Sequence, residues 1–239
     1  MSTQFDLFNR TQNDIFAAPD YPRFKELLAA SNCQKCALAG GRRTIVVDRG
    51  NPEARIMAIG EAPGETEDST GRAFVGRAGK LLDEIMKAVR LDTERDLLIA
   101  NIVKCKPPGN RAPFIEEVAA CRPYLRRQIE LVRPRIILLL GATALKYMIP
   151  GKVDFSMTEE AGTIFLSDEH HGISFMVLYH PAYLLYDPRK KKDMWEHVKT
   201  LDTFLKESGV AGDGENEEVR KKKEEGRGRS GLRPRMHRA

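Results

Sequence analysis

Residues 135–141 read RIILLLG, five consecutive large aliphatic residues between an arginine and a glycine. A run this short and this uniformly apolar reads as a strand covered on both faces, as strands are in a parallel sheet with helices on either side. Three further runs share its size and its turn-residue boundaries: ARIMAIG (54–60), LLIANIV (97–103) and ISFMVLYH (173–180). Helical periodicity fills the gaps. GRAGKLLDEIMKAVR puts Ala78, Leu81, Leu82, Ile85, Met86 and Val89 on one stripe. FIEEVAACRPYLRRQIELV does the same with Ile115, Val118, Leu125, Ile129 and Val132, although Pro123 is expected to break or bend it. DPRKKKDMWEHVKTLDTFLKE supplies a last helix. Strands alternating with helices build βαβ units. The expected fold is α/β: three-layer αβα with a central four-stranded, mainly parallel sheet.

Composition fits this reading. The chain has 239 residues, 41% hydrophobic and 31% charged, which suits one domain of ~200 residues with flanking segments. No apolar stretch approaches the ~18 residues of a membrane helix, and the N-terminus lacks the basic-then-apolar pattern of a signal peptide, so a cytoplasmic protein with no membrane contact is expected. The net charge of +5 is unevenly placed: residues 1–208 hold 30 Lys+Arg against 28 Asp+Glu, and residues 209–239 hold 9 against 6. The closing stretch VRKKKEEGRGRSGLRPRMHRA has too few large apolar residues to fold. The expected organisation is a flexible segment 1–20, a folded domain 21–208 and a disordered basic tail 209–239. That tail is either a solubilising end or a non-specific phosphate contact.

The first strand runs into GEAPGETEDSTGRAFVG (60–76), glycine-rich like a phosphate loop yet carrying Glu61, Glu65, Glu67 and Asp68. Carboxylates repel phosphate, and the loop lacks both the lysine-serine/threonine ending and the G-x-G-x-x-G spacing of nucleotide-binding loops. Gly60-Glu61, Asn101 and His180 each stand at or near the C-terminal end of an expected strand, where open parallel sheets form their ligand crevice. Asn101 can donate and accept side by side, which suits the O4/N3–H edge of uracil and mismatches the amine of cytosine. His180 can donate to an oxygen on which negative charge develops. Phe74 can stack on a flat ring, and backbone N–H groups of the loop, around Gly60 and Ala62, add donors. A planar, uncharged heterocycle suits this set better than phosphate.

Cys33, Cys36, Cys105 and Cys121 stand in a chain without an export pattern, so a metal or cluster is expected before disulfides. Spacing alone leaves structural zinc and an iron–sulfur cluster both open. Two other functions stay open on the same residues: a non-catalytic, zinc-bound nucleic-acid-binding module, and a nucleotide hydrolase using the acidic loop with a divalent metal.

GEAPGETEDSTGRAFVGRAGKLL, NIVKCKPPGNRAP and HPAYLL, together with the Cys33/Cys36 and Cys105/Cys121 pairs, resemble a family 4 uracil-DNA glycosylase of the iron–sulfur type over roughly residues 25–207. The resemblance implies a base-excision-repair enzyme that flips uracil out of DNA, hydrolyses its N-glycosidic bond and leaves an abasic site. It implies a [4Fe–4S] cluster on the four cysteines, near which Lys104 and Lys106 turn toward DNA. Among site residues it implies that Phe74 stacks on the base, Asn101 reads its edge, His180 stabilises the departing anion, Glu61 lies under the sugar, and Glu67 closes the pocket near C5. Superfamily members that read G-Q-D-P in this loop have an aspartate where this chain has Ala62, so catalysis here leans on leaving-group stabilisation. Leu184 and Leu185 are expected to wedge into the duplex, with Arg189 and Lys190 of the following basic cluster on phosphate. A monomer is expected. Gln4-Phe5-Asp6-Leu7-Phe8 resembles the short peptide by which bacterial repair proteins dock on the sliding clamp.

Overall fold

The computed structural model describes residues 13–149, 151–152, 154–166 and 172–210. In chain order its elements are α1 (Tyr21–Ala30), β1 (Arg49–Gly50), β2 (Ile56–Gly60), α2 (Glu65–Thr70), α3 (Arg77–Lys87), β3 (Leu97–Asn101), α4 (Ile115–Val132) and β4 (Ile136–Leu140). They continue with α5 (Ala142–Met148), α6 (Met157–Glu160), β5 (Ile164–Leu166), β6 (Ser174–Leu178), α7 (Pro181–Tyr186) and α8 (Lys191–Glu207). The strands form one sheet in the order β1-β3-β2-β4-β6-β5. Its four central strands are parallel and are the four legible in the sequence. The sheet is wider than expected because β1 and β5, two and three residues long, add antiparallel edges. Segments so short carry no periodic signal.

Alternate residues of each strand point to opposite faces, and each face has its own core. Met57, Ile59, Leu98 and Leu139 pack with Phe24 and Leu28 of α1, Tyr124 of α4 and Leu145 of α5. Ile56, Ala58, Ile99 and Leu138 pack with Leu82 and Met86 of α3 and with Val198 and Leu201 of α8. Burying each such aliphatic side chain contributes roughly 1.5–3 kcal/mol, which is why the strand runs read as continuously apolar. The result is the expected αβα sandwich.

Two expectations change. Pro123 does not break its helix: α4 runs 18 residues straight through it. Pro123 and Ala119, whose carbonyl loses its donor, both lie on the exposed side of α4, where the freed acceptor is open to solvent. The packed chain also starts before residue 21. Residues 13–17 are helical, Ile15 is fully buried, and Phe16 stacks on Tyr124 with centroids 5.3 Å apart. The Gln4–Phe8 peptide and all but the first two residues of the basic tail lie outside the described residues. Among the described residues no helix is long and apolar enough to cross a membrane.

Candidate active site

Because β2, β3, β4 and β6 run parallel, their C-terminal ends open on one side of the sheet. Gly60 of β2 pairs in register with Asn101 of β3. Next to β2, β4 ends at Leu140, and beyond it His180 follows β6. Glu61, Phe74, Asn101, Thr143 and His180 line a single cavity of ≈ 540 Å³ there, large enough for a base and its sugar. The candidates that the sequence placed on three strand ends therefore share one site.

Asn101 is buried, and its Oδ1 has no hydrogen-bond partner among the described residues. A buried amide oxygen left unpaired costs about 1–3 kcal/mol, so the site is built with an unmet demand for a donor. The backbone around it is fixed: Ile102 N–H donates to Gly60 O at 2.9 Å, and Lys104 Nζ donates to Asn101 O at 2.9 Å. A Cβ on Gly60 would lie 2.4 Å from Phe74 Cζ and 2.7 Å from Asn101 Oδ1, so glycine is what lets the two side chains meet.

Phe74 is held with φ +52°, a left-handed conformation that disfavours a bulky residue. Two contacts impose it. The Glu67 carboxylate accepts the N–H groups of Val75 and Gly76 at 2.9 and 2.7 Å, and Gly79 lets α3 seat against the Phe74 carbonyl. A Cβ on Gly79 would lie 1.7 Å from that oxygen. The strained residue presents its ring to the cavity, 5.6 Å from the His180 ring.

His180 caps the N-terminus of α7, its Nδ1 accepting the Ala182 N–H at 3.1 Å. With Nδ1 an acceptor, the ring proton sits on Nε2. Burial pushes the imidazole pKa down to about 4, so the ring is a neutral Nε2–H donor at physiological pH.

The loop's four carboxylates divide their work. Glu67 also accepts the Gly64 N–H, so both its oxygens hold backbone. Asp68 accepts from the N–H groups of Arg43 and Thr44 and ties the loop to the cysteine segment. Glu65 pairs with Lys106 and, at 3.2 Å, with Arg43. Glu61, which lines the cavity together with Glu65 and Glu67, instead accepts the Thr143 hydroxyl. Sequence reading missed Thr143. Its signal was the one strand end left without a candidate, Gly141-Ala142-Thr143 after RIILLLG.

Several expected DNA contacts are placed otherwise. Leu184 is 1% exposed and belongs to the core between α3 and α8, so it is no wedge, whereas its neighbour Leu185 is exposed. One residue along a helix turns a side chain by about 100°, enough to separate the two. Lys104 is buried beneath Asn101 instead of facing DNA, and burial lowers its pKa to about 8. Lys106 is committed to Glu65. Arg189 extends into solvent but pairs with Asp187 at 2.8 Å; Lys190 pairs with Asp193 at 2.9 Å.

The four cysteines are free thiols lining one small cavity between α1, α4 and the chain after β3. Donors already face three sulfurs: Tyr124 Oη to Cys33 at 3.4 Å, Lys104 N–H to Cys121 at 3.3 Å, and Arg42 Nη1 to Cys105 at 3.8 Å. Burial pushes the Cys105 thiol up to about 12 and Cys121 to about 11, so only a bound cation would make them thiolates at neutral pH. Among the described residues no three Cys, His, Asp or Glu side chains converge as ligands of one metal ion. Four thiols spread around a cavity suit a polynuclear cluster.

The profile of the uracil DNA glycosylase superfamily matches residues 47–202. A type-4 uracil-DNA glycosylase of Saccharolobus solfataricus is 42% identical over 197 residues, covering 76% of this chain and 90% of the relative. Type-4 uracil-DNA glycosylases of Sulfurisphaera tokodaii and Thermotoga maritima are 43% and 41% identical, covering 71% and 74% of this chain and 79% and 91% of their own lengths.

Proposed function

The chain belongs to the type-4 uracil-DNA glycosylases of the uracil-DNA glycosylase superfamily, and from that premise we propose how its own residues excise uracil. It is a base-excision-repair enzyme acting on uracil-containing DNA. A uracil rotated out of the duplex stacks on Phe74, and the Asn101 carboxamide meets O4 and N3–H together, satisfying its orphan oxygen. Backbone around Gly60 and Ala62 forms the pocket floor. Glu67, its oxygens spent on the loop, holds the wall on the C5 side.

The N1–C1′ bond breaks with its electron pair leaving on the base. Negative charge spreads to O2, where the neutral His180 Nε2–H donates, while the Glu61 carboxylate opposes the positive charge building at C1′. Water adds to C1′, and its proton ends on the uracil anion. The products are free uracil and an abasic sugar.

Cys33, Cys36, Cys105 and Cys121 would hold a [4Fe–4S] cluster, supported by the four-thiol cavity and its donors to sulfur. When bound, the cluster supplies cross-linking of the N-terminal segment to α4 and no electrons, since this hydrolysis moves none. Leu185 and Arg189 are the exposed members of the expected DNA contacts and take the wedge and phosphate roles. The reading extends to the Gln4–Phe8 peptide as a sliding-clamp dock, the basic tail as a phosphate contact, and action as a cytoplasmic monomer.

The convergence of Glu61, Phe74, Asn101 and His180 on one cavity carries the assignment. Uracil release from a labelled oligonucleotide, with thymine and cytosine controls, tests it. Release of uracil alone is expected, and no release, or equal release of thymine, contradicts it.

A further inference from the structure

The loop that follows β3 is built to be rigid and yet displays large apolar side chains to water. Phe114 is 56% and Ile115 64% exposed. Pro107 and Pro108 stiffen the approach, and Gly109 and Asn110 both adopt positive φ, +62° and +55°. Arg111 is clamped to Glu117 through two bonds of 2.8 and 2.7 Å, and its guanidinium lies 3.7 Å over the Phe114 ring. Glu117 also accepts the Phe114 N–H at 2.8 Å, closing the first turn of α4. An exposed pair held this firmly loses little freedom on binding, which is how a recognition surface differs from a stray surface residue.

Its position says what it meets. Pro107, Asn110 and Arg111 line the mouth of the active-site cavity, so Phe114 and Ile115 continue its rim. A second apolar rim, Tyr183, Leu185 and Tyr186, follows His180. Five of the seven exposed large apolar side chains among the described residues thus follow within a few residues in the chain of positions that line the cavity. The first rim lies on the connection from β3 into α4 and the second on α7 after β6, and both connections contribute residues to the cavity lining.

We propose that Phe114 and Ile115 form a second apolar contact to DNA, stacking against the bases of the strand that does not carry the uracil while the His180-side rim holds the strand that does. The inference rests on the uracil-excision reading and adds a duplex-specific surface to it. Arg111 takes part as the positioning residue beneath Phe114.

The test uses the full chain with its cofactor and compares the unmodified enzyme, Phe114→Ala/Ile115→Ala and Phe114→Tyr on one uracil-bearing sequence, as a single strand and as a duplex. The double variant should lose roughly 5- to 100-fold in kcat/KM on the duplex, the range set mainly by losing one base–aromatic stacking contact. It should stay within about two-fold on the single strand, and Phe114→Tyr should restore most of the duplex rate. In parallel, 2-aminopurine opposite the uracil should change fluorescence on binding the unmodified enzyme and not on binding the double variant. An unchanged duplex rate, or equal losses on both substrates, overturns the proposal; the latter would mean a general structural defect. Failure of the unmodified enzyme to release uracil from either substrate would instead refute the excision reading.

Discussion

At the scale of single residues, the account depends on two side chains with unusual electrical settings. Asn101 keeps a buried oxygen without a partner among the described residues, and His180 keeps a half-buried, neutral ring with its proton on Nε2. Asn101→Ala should lower single-turnover uracil release by on the order of 10²–10³, the usual loss for a preorganised donor to developing charge. The His180 pKa near 4 fixes a pH signature. In the unfolded chain the ring takes its proton near 6.5, whereas in the fold it resists until about 4, so stability falls as pH drops through that window and is unaffected above it. The loss from this group is on the order of 3 kcal/mol, and His180→Gln should flatten the dependence of melting temperature on pH between about 4 and 6.5. An NMR titration placing the His180 midpoint near 6.5 would contradict the neutral-donor role. Asn101 and His180 were legible because strand ends in a parallel sheet are where ligands bind. What could not be read was the division of labour among Glu61, Glu65, Glu67 and Asp68. Four acids in eight residues look alike in sequence, and only the fold shows three holding backbone or cations and one accepting the Thr143 hydroxyl.

At the scale of elements, the strands and helices were legible because burial on both faces demands uninterrupted aliphatic runs. Close approaches between elements were not, because a glycine gives no sign of what it stands against. Gly60 lets β2 approach both Phe74 and Asn101, and a methyl there would occupy the place of the stacked base's neighbours. Gly60→Ala should lower the melting temperature modestly, because the buried Phe74 ring and Asn101 carboxamide must give way to its methyl, and reduce uracil release at least 10-fold; normal turnover would show the cavity to be roomier than described. Gly79→Ala should act differently, since its methyl collides with backbone and not with a rotatable side chain. It should move the start of α3, disturb Phe74 and cost stability and activity together. The cysteine region tests the link between segments. Cys105→Ala or Cys121→Ala should lose folding yield and brown colour in parallel, because ligand assembly is coupled to folding. Anaerobic iron and acid-labile sulfide analysis of the unmodified protein should find about four of each per chain; zinc in their place would contradict the cluster.

For the molecule as a whole, a three-layer sandwich brings three distant stretches of chain to one edge of its sheet and leaves two apolar rims on either side of the cavity they form. Helix register decided which leucine faces out, and a proline on the exposed side of its helix left that helix unbroken. Neither is written in hydrophobic pattern alone. The chemistry needs no dissociable divalent metal, so activity should survive EDTA. The central claim is that Asn101 and His180 act on a uracil seated in this cavity. Single-turnover release of uracil from a labelled duplex by the unmodified protein, Asn101→Ala and His180→Ala tests it most directly, with each variant first shown to melt and bind cofactor normally. The account predicts efficient, EDTA-resistant release of uracil and not thymine by the unmodified protein, and a loss on the order of 10²–10³ in each variant. Near-normal release by both variants would contradict it.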